Sequence, residues 1–146
     1  VVYGADDELC QWIAKHIPGY SATPGAKALG VIKGGKLVAA VVYERHNGVH
    51  CEVSIVVEDK ARWADRRTLH ALFHYPFVQL GCLAISATIP STNLDSLNLC
   101  AKLGFKAVAI VRFAAPDGSP LVVMQQERQN CEWLAYGQEE QSAGGA

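Results

Sequence analysis

At 146 residues the chain suits one compact domain and is long enough to bury a core without disulfides or a structural metal. Half of its residues are hydrophobic and only 18% are charged, which excludes the low-hydrophobicity, high-charge regime of disorder. A formal net charge of −1 argues against a surface built to neutralise many phosphates, so nucleic acid is not an expected partner.

Asp6 and Asp7 precede Leu9, Trp12, Ile13 and Ile17, one apolar helical face behind an acidic start. This spacing predicts a helix over Asp6–His16, with Pro18 and Gly19 as its stop. Residues 19–26 are rich in Gly, Pro, Ser and Thr and read as a loop placed to border a substrate site. ALGVIK, KLVAAVVYER and VHCEVSIVVE follow, joined by a Gly34-Gly35 turn and a turn ending at Gly48, which predicts a three-stranded antiparallel meander.

Leu69, Leu72, Phe73, Phe77 and Leu80 recur at helical spacing over residues 64–80, but Pro76 lacks an amide donor and predicts a kink or an early end near Tyr75. CLAISATI after Gly81 is a short strand. Pro90, Ser91, Thr92 and Asn93 then supply turn and cap chemistry for a helix carrying Leu94, Leu97 and Leu99, closed by Gly104. KAVAIVRFA and LVVMQQ form a hairpin around Asp117-Gly118. Residues 1–134 are therefore expected to form one α/β domain, and residues 135–146 a flexible tail.

The cysteines Cys10, Cys51, Cys82, Cys100 and Cys131 are odd in number, widely spaced and without a C-x-x-C. Neither a disulfide framework nor a metal site is expected, and a reducing cytoplasm fits best. No apolar run approaches the roughly 20 residues that span a bilayer, and VVYGADDELC has neither the basic region nor the apolar stretch of a signal peptide. No membrane partner is expected.

The element order, with N-L-D-S-L-N-L-C-A-K-L-G-F-K at residues 93–106, resembles the acetyl-CoA-dependent N-acetyltransferase (GNAT) superfamily. Asn93, Ser96, Leu99, Gly104 and Phe105 carry the resemblance, helped by Arg112 in the next strand. C-E-W-L at residues 131–134 resembles the end of ribosomal-protein N-terminal acetyltransferases and of phage-associated members. Gly104 and Phe105 also have a purely local reason, since glycine ends helices in a left-handed conformation and phenylalanine seats the next strand. Asn93 likewise is either a plain helix cap or a cofactor neighbour.

The resemblance implies a mostly antiparallel mixed sheet flanked by helices, with a V-shaped splay between the fourth and fifth strands that admits the pantetheine arm of acetyl-CoA. It implies that Val56, Val57, Asn93 and Ser96 border that arm. In the family a [QR]-x-x-G-x-[GA] loop then cradles pyrophosphate on amides at a helix start. Residues 61–66, A-R-W-A-D-R, depart from it: Ala64 stands at the middle glycine and Arg66 at the final small residue. Arg62, Arg66 and Arg67 crowd the same helix start, where guanidinium groups suit phosphate oxygens, and Trp63 would cover the loop or pack on the cofactor.

Direct amine acetylation needs a base for the ammonium proton, an acid for the departing thiolate and donors for the thioester carbonyl. Glu52 stands where some family members place a glutamate base; His50 is its competitor, with an imidazole suited to neutral-pH proton transfer. Glu52 also reads as a cross-strand partner of Arg45. Cys100 occupies the position of the family's tyrosine acid, seven residues after Asn93, and reads either as that acid or as a buried small hydrophobe. Tyr43, Tyr75 and solvent are the other proton sources. His70 and His74 have the spacing of a metal-binding helix without the glutamate of H-E-x-x-H, and read as a structural pair. The expected function is acetyl transfer from acetyl-CoA to a primary amine by a monomer or homodimer. The alternatives are a non-catalytic acyl-CoA-binding module and a phage-type nucleic-acid-modifying relative.

Overall fold

The computed structural model describes residues 1–17, 19–58 and 62–135. The elements are α1 (Asp6–His16), β1 (Lys27–Lys33), β2 (Lys36–Glu44), β3 (His50–Val57), α2 (Arg66–His74), β4 (Ala84–Pro90), α3 (Leu94–Lys102), β5 (Lys106–Val111) and β6 (Leu121–Glu127). The six strands form one sheet in the order β1-β2-β3-β4-β6-β5. Every neighbouring pair is antiparallel except β3 and β4.

The sheet separates two apolar layers. On one face Leu9 and Ile13 of α1 pack with Ala28, Ala40, Val42 and Val56. Close approach of α1 requires Gly30, where an added Cβ would lie 2.8 Å from Leu9 Cδ2. Asp6 ties the helix to β1 by accepting the Ala28 amide proton at 2.8 Å. On the other face Leu69, Leu72 and Phe73 of α2 and Cys100 of α3 meet Val41, Tyr43, Cys51, Val53, Ile85 and Ala87. Residues on opposite faces of β1, β2 and β3 thus serve opposite layers.

Pro76 acts as its ring chemistry requires. α2 ends at His74, and the chain continues as a π-helical turn, Tyr75–Gln79, in which the Leu80 amide reaches the Tyr75 carbonyl at 3.0 Å. α3 closes on Gly104, whose φ of +104° lies where L side chains are strained. The carbonyl of Leu103 accepts protons from Gln126 Nε2 at 3.2 Å and Trp133 Nε1 at 2.7 Å, so two later segments cap this helix. Arg112 follows the last residue of β5 rather than lying in the strand, with its guanidinium 5.3 Å from the Phe113 ring centroid. Nine residues join β5 to β6, with Asp117 Oδ1 accepting from the Ser119 amide at 2.9 Å in the turn. Pro18, Ala61 and the tail beyond residue 135, on which sequence expectations fall, lie outside the described residues. Among the described residues no helix is long and apolar enough to cross a membrane.

Candidate functional site

The break in the sheet defines the site. β3 and β4 pair only at His50 with Ala84, Cys51 with Ile85 and Glu52 with Ser86. β3 then continues along β2 to Val57, while β4 continues along β6 to Pro90. Beyond Glu52 and Ser86 their facing edges therefore diverge. The expected splay is present, between the third and fourth strands by this chain's own count. Both strands run parallel into helix starts, Asp65 capping α2 and Asn93 capping α3. A crevice at the carboxyl ends of such strands is where open sheets receive ligands.

At the start of α2, Lys33, Arg62, Trp63, Ala64 and Asp65 line a shallow depression. Asp65 Oδ1 accepts the Thr68 amide proton at 2.7 Å, and Lys33 Nζ lies 2.7 Å from Asp65 Oδ2. The Lys33 bond, followed by the Thr68 amide, holds the Asp65 carboxyl at a pKa of about 2. A carboxylate thus already takes one of the amides that a helix start offers to phosphate. Arg62, Arg66 and Arg67 are exposed here. Trp63 instead belongs to the apolar layer between sheet and helices and is only 6% exposed. Val56 packs in the α1 layer, and Val57 lies half-buried against the other. Asn93 Oδ1 caps α3 by accepting from the Ser96 amide at 3.2 Å.

A polar depression lies where β3 leaves β4, lined by Tyr20, Glu44, Arg45, Glu52, Ser54 and Thr88 among others. Glu52 is half-buried, and its Oε2 is 2.5 Å from Arg45 Nη1. Arg45 takes the left-handed conformation, φ +54°, as the chain leaves β2. Glu44, opposite Glu52 in the strand register, is buried. It accepts protons from Tyr20 Oη at 2.5 Å and from Thr23 N and Oγ1, both at 2.7 Å. Burial raises its pKa, but the Tyr20 and Thr23 hydrogen bonds outweigh that effect and hold it below the ordinary value. His50 sits at the paired, closed end of the splay, where its Nε2 is 2.7 Å from Ser86 Oγ.

The remaining candidates are scattered. Cys100 is buried in the apolar layer, and loss of hydration pushes its thiol up to about 11. Tyr43 donates to the Leu72 carbonyl at 2.6 Å inside the core, while the Tyr75 ring centroid lies 4.9 Å from that of Tyr43. The His70 and His74 rings are 5.3 Å apart, and His70 Nδ1 is 3.1 Å from the Trp133 carbonyl. The residues that sequence reasoning missed are Glu44, Tyr20, Thr23 and the Asp65 cap.

Neither a family model nor a curated protein matches this sequence. Solved structures do, and they define the class of fold: that of the N-acetyltransferases. Among them is Campylobacter jejuni N-acetyltransferase PseH in complex with acetyl coenzyme A, at 11% identity and a TM-score of 0.56, over 73% of this chain and 70% of that one. The Vibrio cholerae spermidine N-acetyltransferase SpeG F149A mutant is similar at 18% identity and a TM-score of 0.64, over 90% and 79% of the two chains. At these identities the likeness shows the fold.

Proposed function

We propose that this chain transfers an acetyl group from acetyl-CoA to a primary amine by direct attack in a ternary complex. The observation that carries the reading is the diverging parallel pair, with two helix starts beyond it and a polar depression containing Glu52 at the point of divergence. The PseH complex and the spermidine enzyme SpeG support an acetyl donor and an amine acceptor. In this reading Arg62, Arg66 and Arg67 meet the phosphates by side chain, because Asp65 already occupies an amide of the helix start. Val56, Val57, Asn93 and Ser96 border the pantetheine arm, with Trp63 shaping the mouth from below as a packed residue.

Glu52 removes the ammonium proton, the free amine attacks the thioester carbonyl, and collapse of the tetrahedral adduct expels the CoA thiolate. Glu52 lines the polar depression whereas His50 sits at the closed end of the splay, which favours Glu52 as the base. The thiolate takes its proton from solvent, since Cys100 lies in the core. A protein N-terminus, as acceptor of the ribosomal-protein type that C-E-W-L resembles, is one primary amine among those to try.

A second reading, a cofactor-binding module without catalysis, is favoured by the self-capped start of α2. Thermal denaturation with acetyl-CoA tests both, because a ligand of the native state alone adds about 2.7 kcal/mol at a hundredfold excess over its Kd. No shift at millimolar acetyl-CoA would overturn both readings. A shift without CoA release across an amine panel would leave the module. Replacing Arg62, Arg66 and Arg67 together by Ala is expected to weaken the shift and its salt dependence.

A further inference from the structure

Glu44 is a buried carboxylate at the end of β2, on the sheet face of Ala40 and Val42. Each of its oxygens accepts a hydrogen bond, and all three donors come from one short stretch, Tyr20 Oη, Thr23 N and Thr23 Oγ1. That stretch belongs to residues 19–26, which contain no helix or strand. Its described backbone bonds are local ones, Tyr20 N to Ile17 O and Ala26 N to Thr23 O; Tyr20 and Ala26 pack against the α1 layer, and Glu44 supplies the polar tie to the sheet. The same stretch supplies Gly19, Tyr20 and Ser21 to the wall of the depression that holds Glu52, Ser54 and Thr88.

Charge-assisted bonds to a buried carboxylate are directional and stronger than neutral ones, so a wall held by three of them keeps one position. Arg45, the next residue, turns out of the strand in the left-handed conformation and pairs with Glu52 on the neighbouring strand. Consecutive residues therefore tie down two parts of the lining: Glu44 the loop, Arg45 the Glu52 carboxylate.

We propose that Glu44 is a positioning residue for the acceptor: by anchoring residues 19–26 across the diverging strands it sets the wall against which the amine is held, without touching the acetyl donor. This rests on the acyl-transfer reading above. A loop staple with no bearing on the reaction would stabilise the fold equally, so the test has to separate acceptor from donor.

Wild type, Glu44→Gln, Tyr20→Phe and the double variant are assayed with acetyl-CoA and the best of ethanolamine, lysine and a short peptide with a free N-terminus. The acetyl-CoA Kd is measured separately by titration. The expected result is an amine KM raised about tenfold in each single variant, an acetyl-CoA Kd within about twofold of wild type, and a double variant no worse than the poorer single one, because both changes cut the same anchor. Unchanged amine KM in folded variants overturns the proposal and leaves the transferase standing; a parallel loss of acetyl-CoA affinity overturns it too. If Glu44→Gln fails to fold, Tyr20→Phe, which removes one hydroxyl from a half-buried ring, carries the test alone. A wild type that binds no acetyl-CoA, or acetylates none of the three amines, sinks the functional reading and the anchor's role with it.

Discussion

Asp65 is expected to oppose binding of the proposed acetyl-CoA, and the size of the effect follows from what it occupies. Its Oδ1 holds the Thr68 amide at 2.7 Å, so a phosphate claiming that amide has to displace the carboxylate. A side-chain cap of this kind is worth about 0.5–2 kcal/mol. The exposed partner Lys33 adds little to the cost, because its ammonium can move from carboxylate to phosphate. Protonation offers no escape, since the carboxyl titrates at about 2. At about 1.4 kcal/mol per factor of ten, displacement weakens phosphate binding by roughly two- to thirtyfold. Asp65→Gly should therefore bind CoA about tenfold more tightly, at a stability cost somewhat above the few tenths of a kcal/mol typical of a glycine cap. Asp65→Asn, which keeps a capping oxygen but no charge, should fall between. Calorimetric titration with CoA measures the gain, and pantetheine, which lacks the phosphates, should show none. An Asp65→Gly protein that binds CoA no more tightly than wild type would refute the placement of phosphate at this helix start.

Glu52→Gln should lower turnover about a hundredfold or more while CoA affinity is retained, as for a removed general base; full activity would move the role to His50 or water. Cys100→Ala is expected to keep acetyl transfer, and Cys100→Ser to lose about 1–3 kcal/mol by burying a hydroxyl, both read from kinetics and urea unfolding; an inactive but folded Cys100→Ala protein would restore the acid role. Gly104→Ala places a Cβ 2.7 Å from Gln126 Nε2 at a φ of +104°, so a loss of about 1–3 kcal/mol and a fall of several degrees in Tm are expected, and an unchanged Tm would contradict the close packing. Glu44 has a folded pKa below its ordinary value, so its stabilisation is complete above the unfolded value near about 4 and is lost as pH falls through the folded one. Glu44→Gln should flatten the acid limb of the stability profile, and an unchanged limb would count against its hydrogen bonds.

The sequence was most legible where one period dominates. Helix α1 has the predicted bounds, and the meander and Gly104 stop fall where turn chemistry puts them, because local signals there agree with the packing. Pro76 marked the right place, but the π-helical turn depends on how Phe77 is drawn into the core. Glu52 and Arg45 read as a cross-strand pair and do meet, although the register sets Glu44 opposite Glu52 and Arg45 reaches it by turning out of the strand. Glu44 could not be given a role, since its partners lie 21 and 24 residues earlier in a loop without periodicity. The available hint was its phase: Ala40, Val42 and Glu44 share one face, which puts a charge in line with the core. Asp65, three residues before Thr68, carries the sequence signature of a helix cap. Trp63, beside three arginines in the sequence, reads as a binding residue, and only the fold shows that it packs in the apolar layer as well as lining the start of α2.

The three-residue contact between β3 and β4 also makes the site a seam. β1, β2 and β3 are joined by tight turns and can zip up in the order in which they are made, whereas β4 reaches its partners only after a helical crossover on one side and after β6 on the other. Leu103 adds a fastening from Trp133, close to the end of the described chain. The two sides of the sheet thus meet through a short parallel join and through the apolar layer that α2 and α3 share with both, and the crevice is complete only when that layer is. The β3–β4 ladder is the shortest in the sheet, so its pairing should fray before that of either flanking ladder.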